Sequence, residues 1–348
     1  MNIIDDLINN IKPLDKESMK KAEERQNNII KPQKALGVLE NITIQLAGIY
    51  KTSNLTMPKK AIITFGSDNG VYEENVSKDN QSLTAIHFPN FVQNYSAIGS
   101  ICEYTHTKML AIDIGINSDK KLSDEIIDEK IAKSTKNITK THSMSKEQAI
   151  KSIKTGIHYA NKLIDEGYNL ISLGEMGIAN TTIATAIVSC ITDKSPDEIT
   201  GRGSGINDDI LKNKINAIKK SLEINKPIKN DYIDILTKIG GFETGGMLGV
   251  ILACCARNTP VILDGLITYS AAMLAKLITP ITTDYLICSH KTREKAGNFA
   301  LEYLNLTPPL NLDLCLGEGY GAVMYSQIIE SAIYSYNIMK TFKQLNIL

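Results

Sequence analysis

Two glutamates stand in glycine turns. Glu318 lies in Leu314-Cys315-Leu316-Gly317-Glu318-Gly319-Tyr320-Gly321-Ala322-Val323, an apolar run, a carboxylate between glycines, then helical spacing over residues 322–332. Glycines there let backbone approach a ligand and permit positive φ. A partly desolvated carboxylate in such a turn rises towards the pKa of a useful general base. The same pattern also describes an ordinary turn with a solvated glutamate. Glu175 sits in Gly174-Glu175-Met176-Gly177-Ile178-Ala179-Asn180-Thr181-Thr182, a strand–glycine–helix junction. The N–H groups of residues 179–182 would face outward at a helix N-terminus, which suits phosphate. A third loop, Gly201-Arg202-Gly203-Ser204-Gly205, precedes the expected cap Asn207-Asp208-Asp209, with Lys214 beyond it. It is neither a Walker A sequence nor GxGxxG, so neither a nucleoside triphosphate nor a dinucleotide follows. Together the loops suggest transfer chemistry on a small phosphorylated substrate, with one carboxylate as base.

Other chemistries find less support. The histidines, His87, His106, His142, His158 and His290, lack metal spacing and read as structural or surface residues. The cysteines, Cys102, Cys190, Cys254, Cys255, Cys288 and Cys315, form no CxxC pair; their apolar surroundings read as reduced core thiols of a cytoplasmic protein. Ser270 and Ser289 have no nucleophile-elbow context. Lys+Arg and Asp+Glu are both 38, so no nucleic-acid partner is indicated. No signal peptide is expected, and the most apolar stretch, residues 245–256, is too short to span a bilayer. At 348 residues and 43% hydrophobic, the chain is long enough for a large core.

The elements that position these residues are strands alternating with helices. Apolar runs at 61–65, 109–115, 168–173, 260–263 and 285–288 read as strands, most followed by a ligand-capable turn. Residues 117–147 read as a polar surface excursion, and Ser145 with Gln148 as a capping box opening a helix to about Glu166. A helix is expected from Ser270. The pattern predicts an α/β fold: a parallel, Rossmann-like sheet covered by helices on both faces, binding ligands at its carboxyl ends. The α/β domain is placed at 58–330. Residues 1–57 and 331–348 are expected to form a small helical domain. Two apolar stripes there, Leu7, Ile8, Ile11 and Leu14, then Leu36, Leu39, Ile42, Leu46 and Ile49, are short of partners and suited to a subunit interface.

In combination, five ordered motifs resemble the nicotinate-nucleotide–dimethylbenzimidazole phosphoribosyltransferase family, of cobamide lower-ligand activation. They are residues 174–182, 201–205 with Asp208-Asp209, Gly240-Gly241-Phe242-Glu243, Leu263-Asp264-Gly265 and residues 316–322. The resemblance runs from Lys31 to about Ala332. It implies attack of an aromatic nucleophile on C1′ of nicotinate mononucleotide, giving an α-ribotide, with Glu318 as general base and Glu175 as a second site carboxylate. Gly177, Asn180, Thr181, Gly203, Ser204 and Lys214 fall at the phosphate positions, and Ser77, Ile86, His87, Asn90, Met176 and Leu316 at the acceptor positions. No cofactor or metal is implied, and the assembly is a homodimer or a heterodimer with a paralogue.

The sequence departs from the family around the acceptor. Asn69 replaces a histidine, Ile86-His87 a Gln-Met pair, Ala179 a glycine, Tyr269 a small residue and Cys315 an arginine; the family's Glu-x-Gly-His is reduced to Glu294-Lys295-Ala296-Gly297. Loss of the glutamine suggests an apolar pocket and a precursor other than dimethylbenzimidazole, such as a phenol or a purine. The expectation is a phosphoribosyltransferase. Its rivals are a non-catalytic or partner-dependent subunit of a heteromeric enzyme of the same family and a hydrolase that uses water as nucleophile.

Overall fold

The computed structural model describes residues 2–203 and 205–347. Its strands are β1 (Lys60–Ser67), β2 (Lys108–Gly115), β3 (Ile127–Asp128), β4 (Leu170–Met176), β5 (Val261–Leu263) and β6 (Leu286–Cys288). Its helices are α1 (Asn2–Asn10), α2 (Lys16–Asn28), α3 (Val38–Tyr50), α4 (Leu83–His87), α5 (Pro89–Val92), α6 (Ala97–Tyr104), α7 (Lys146–Asp165), α8 (Asn180–Thr192), α9 (Pro196–Ile199), α10 (Asp208–Asn225), α11 (Tyr232–Ile239), α12 (Phe242–Ala256), α13 (Leu266–Ile278), α14 (Lys295–Leu304) and α15 (Tyr320–Ile338).

The strands form one parallel sheet in the order β3-β2-β1-β4-β5-β6. Strand order reverses between β1 and β4, so the crevice outside their carboxyl ends is a topological switch point, where such sheets bind ligands. Every residue of β1 is buried, because helices cover both faces. Ala61, Ile63, Phe65, Ile171, Leu173 and Val261 join the main core with α7, α8, α12 and α13. On the other face Leu170, Ile262 and Ile287 pack with α2, α3 and α15, while Ile62 and Ala111 pack with Phe88, Phe91 and Ile98.

Several expectations hold in detail. The five apolar runs are β1, β2, β4, β5 and β6. Ser145 Oγ accepts the Gln148 N–H at 3.2 Å and Gln148 Oε1 accepts the Ser145 N–H at 2.9 Å, so the capping box opens α7 as read. Others need correction. The excursion at 117–147 contains an edge strand, β3, paired to β2 through Ile112 and Ile127. Helix α13 starts at Leu266, not Ser270, because Gly265 ends the β5 turn and caps it. The terminal stripes find much of their packing within the chain: Ile11 joins the main core with Leu7, Ile8 and Leu14 half-buried against it, and Ile42 and Leu46 pack beside α15, while Leu36 is exposed. Leu36 stands outside α3, which begins after Gly37 at φ +54°. Among the described residues no helix is long and apolar enough to cross a membrane.

The closest packing is between α7 and α12. A Cβ on Gly156 would lie 1.9 Å from the Gly246 carbonyl oxygen, and one on Gly249 2.0 Å from that of Ile153. Only glycine fits, and this contact sets how α12 lies on β1. Gly156→Ala is therefore expected to destabilise the protein by about 3 kcal/mol, the upper end for overpacking, measured by urea denaturation. Unchanged stability would show that the two helices are not held at this distance.

Candidate active site

The site lies at the switch point. A cavity of about 360 Å³, within the usual range for small ligands, opens among the turns that follow β4, β5 and β6, the 201–206 loop and the 314–318 loop. The β4 turn supplies Glu175, Met176 and Gly177. The β5 and β6 turns supply Asp264 and His290, α8 supplies Asn180 and Thr181, and α10 supplies Lys214.

Glu318 is held by unusual backbone. Gly317, Glu318 and Gly319 have φ values of +80°, +64° and +88°, three left-handed residues in succession. Glycine takes that conformation freely; glutamate does so at a cost of about 1–2 kcal/mol. The turn aims the carboxylate into the cavity, where it is 5% exposed. Glu318 Oε1 lies 2.8 Å from His87 Nε2, while Oε2 is buried without a partner. Burial raises the Glu318 pKa, and the His87 contact opposes the rise.

Around it carboxylates accumulate. Glu175 Oε1 accepts the Glu318 N–H at 3.4 Å, and Oε2 accepts the side-chain amide of Asn180. Burial, then the nearby Asp264, pushes Glu175 up to about 8. Asp264 accepts N–H groups of Gly319 at 3.3 Å and Ala322 at 3.2 Å, fixing the entry into α15, yet burial still raises it to about 7. His290 Nδ1 bonds Ser289 Oγ at 2.9 Å, and burial lowers its pKa.

Adjacent residues of α8 link this cluster to a buried cation. Asn180 reaches Glu175; its neighbour Thr181 accepts a hydrogen bond from Lys214 Nζ at 2.8 Å. Lys214 is 1% exposed and, among the described residues, forms no ion pair; burial lowers its pKa. A position for a Cβ on Gly203 lies 3.8 Å from that ammonium. The Gly203 N–H donates to Glu294 Oε1 at 2.7 Å, while Glu294 Oε2 is buried and, among the described residues, has no hydrogen-bond partner. An unpaired ammonium beside free backbone approach is a place for an anion.

The structure thus gathers most of the expected residues: Glu318, Glu175, Gly177, Asn180, Thr181, Gly203, Lys214, Ser77, His87, Met176 and Leu316 all line the cavity. Ser204 lies outside the described residues. Two are not brought in. Ile86 is 67% exposed, pointing away from the cavity, and Asn90 does not line it; its carbonyl accepts the Tyr95 and Ser96 N–H groups. The helix-terminus reading is narrowed too, since the Asn180 and Thr182 N–H groups donate to the Gly177 and Ala179 carbonyls. Three side chains were missed as site residues: Asp264, His290 and Glu294. The first two end strands, a signal present in the sequence; Glu294 was discounted as part of a degraded motif. His87 and His290 are therefore site residues, against the structural reading of the histidines, and Cys315 is exposed at the cavity, against the core reading of the thiols.

Fold and site define a doubly wound α/β protein with a carboxylate-lined cavity at the strand switch that also holds a buried lysine, a layout suited to an enzyme acting on a phosphorylated small molecule. A family model described as phosphoribosyltransferase matches residues 11–347. Relatives named nicotinate-nucleotide–dimethylbenzimidazole phosphoribosyltransferase include one from Clostridioides difficile, 44% identical over 99% of both chains. Another, from Alkaliphilus metalliredigens, is 42% identical over 100% of this chain and 99% of its own. A crystal structure of CobT from Thermus thermophilus superposes with a TM-score of 0.90 at 29% identity, covering 95% of this chain and 98% of that one. The chain belongs to this phosphoribosyltransferase family.

The raised carboxyls make a pH prediction. The native state keeps protons on Glu175 and Asp264 that the unfolded chain has released, so stability is full below about pH 4 and is lost as pH rises through about 7–8. The melting temperature of the free protein should fall between about pH 5 and pH 8, and Glu175→Gln should flatten the fall. A melting temperature that climbs through that window would mean the carboxyls are ionised throughout.

Proposed function

We propose that this protein transfers the ribose phosphate of nicotinate mononucleotide to an aromatic acceptor, giving an α-ribotide for cobamide synthesis. The observation that carries the reading is the placement, in one cavity, of a buried unpaired Lys214 and a buried carboxylate, Glu318, with one free oxygen. The relatives' names give the donor and the acceptor class.

In this reading the donor's phosphate takes the Lys214 ammonium with Thr181 and Gly203. The acceptor lies among Val76, Leu83, Met176 and Leu316, with its N–H or O–H on Glu318 Oε2. Glu318 removes that proton as the ring atom attacks C1′. The C1′–N bond to nicotinate breaks, and its electron pair neutralises the pyridinium. Positive charge is present on the pyridinium and passes to the sugar, which draws Glu175 and Asp264 towards their ionised forms and lets them stabilise the transition state. Attack opposite the leaving group gives the inverted configuration.

A phenol is less favoured than the sequence alone suggests, because Ile86 does not line the cavity; of the substituted Ile86-His87 pair, His87 does. A benzimidazole, purine or phenol each offers the required flat ring and acidic hydrogen. A dimer is the assembly we favour, on the family resemblance alone, since the terminal stripes pack largely within the chain.

The test is a mass-spectrometric acceptor screen with nicotinate mononucleotide, supplying benzimidazoles, phenols and adenine. Wild type should form an α-ribotide, and Glu318→Gln should lower the rate by about 10²-fold or more. Nicotinate release without ribotide would indicate hydrolysis instead. Lys214→Met should raise KM for the nucleotide by about 10–100-fold, the loss of a charge-assisted hydrogen bond; an unchanged KM would remove Lys214 from the phosphate site.

A further inference from the structure

Glu318 poses a problem that the reaction alone does not solve. Once it has taken the acceptor's proton it is a buried carboxylic acid under a bound product, and it must lose that proton before the next cycle. The groups facing it differ in their ability to take it. Glu175 is held by Asn180 and by the Glu318 N–H. Asp264 accepts the Gly319 and Ala322 N–H groups. His290 has its Nδ1 on Ser289. Asp79 also lines the cavity and has partners of its own. Among the described residues, His87 is the one that hydrogen-bonds a Glu318 side-chain oxygen, at 2.8 Å, and its side chain is 31% exposed.

The position of His87 is built. Thr84, one turn earlier on α4, donates to Asp68 Oδ1 at 2.7 Å and accepts the Ile178 N–H at 3.2 Å. This ties α4 to the ends of β1 and β4. Residues i and i+3 share a helix face, so fixing Thr84 turns His87 towards Glu318. The imidazole also meets the Phe91 ring edge-on, centroids 5.3 Å apart, which limits its rotation.

Resting on the reading of Glu318 as base, we propose that His87 is the outlet through which Glu318 returns the acceptor's proton to solvent. The proton moves from the acceptor N–H or O–H to Glu318 Oε2 as the new C1′ bond forms. Rotation of the carboxyl brings that O–H to His87 Nε2. With its own proton first moved from Nε2 to Nδ1 by exchange with water, the imidazole accepts the Glu318 proton on Nε2 and gives the Nδ1 proton to water; Nε2–H then donates to the Glu318 carboxylate again, so both groups end the cycle as they began. His87 acts through Glu318 and not on the substrate. Histidine suits the task because one ring nitrogen can take a proton while the other gives one up.

The experiment compares wild type, His87→Ala, His87→Gln and Glu318→Gln under saturating donor and acceptor, with and without added imidazole. His87→Gln keeps a hydrogen-bonding group near Glu318 but cannot relay a proton. Both His87 variants should lose about 10²-fold or more in kcat, within the range for a positioned proton-transfer group, with acceptor KM little changed. Imidazole should restore His87→Ala in a concentration-dependent way and leave His87→Gln slow. The relay is overturned if His87→Ala turns over at the wild-type rate, if His87→Gln does so, or if imidazole fails to restore His87→Ala. Failure of the underlying reading looks different: Glu318→Gln would then remain as fast as wild type.

Discussion

Carboxylates desolvated side by side at the end of a parallel sheet are the constraint on which this structure turns. Glu175, Asp264 and Glu318 share one cavity wall, and Glu243 lies buried behind β1 against Asn69. Each is raised by burial, Glu243 to about 7. Several desolvated acids cannot all ionise together without opposite charge, so the cavity's own charges do not balance. A ligand with a cationic ring and an anionic phosphate balances them on both sides: the cation against the carboxylates, the anion against Lys214. A nicotinate nucleotide has that charge pattern, with the sugar carbon that reacts lying between the two.

The fold supplies the rigidity this needs. The β4 turn, the β5 turn and the start of α15 are hydrogen-bonded to one another: Asp264 takes two N–H groups of the α15 entry, and Glu175 takes that of Glu318. The left-handed run at 317–319 stores strain at Glu318, as functional sites often do. A side chain at Gly319 would run into Ile62 of β1 and the Leu173 carbonyl of β4, so the turn rests directly on the central strands. Two buried polar clusters joined through adjacent residues of α8 keep separate roles, since Asn180 orients a carboxylate while Thr181 orients the amine.

The sequence made the sheet legible because its strands are short apolar runs bounded by turns, and its loops legible because glycines beside Glu175 and Glu318 leave few conformational readings. β3 escaped because two residues carry no periodicity; pairing with β2 makes it a strand. Ile86 was misplaced by reading position without helical phase. With Thr84 turned inward to Asp68, His87 follows on the same face and Ile86 points away. Asn90 fell on the far side of Pro89, where a new helix begins. Asp264 and His290 were visible as strand-end residues, but only the fold shows that β5 and β6 lie beside β4 and deliver them to one cavity. The terminal stripes looked unpartnered because their partners, α12 for one and α15 for the other, are far away in sequence.

The most direct test is a crystal structure with nicotinate mononucleotide bound to Glu318→Gln. The phosphate is expected within hydrogen-bond distance of Lys214 Nζ, in contact with Thr181 and Gly203, with C1′ facing residue 318 across the space left for the acceptor. A nucleotide bound with its phosphate away from Lys214, or with C1′ turned from residue 318, would contradict this account.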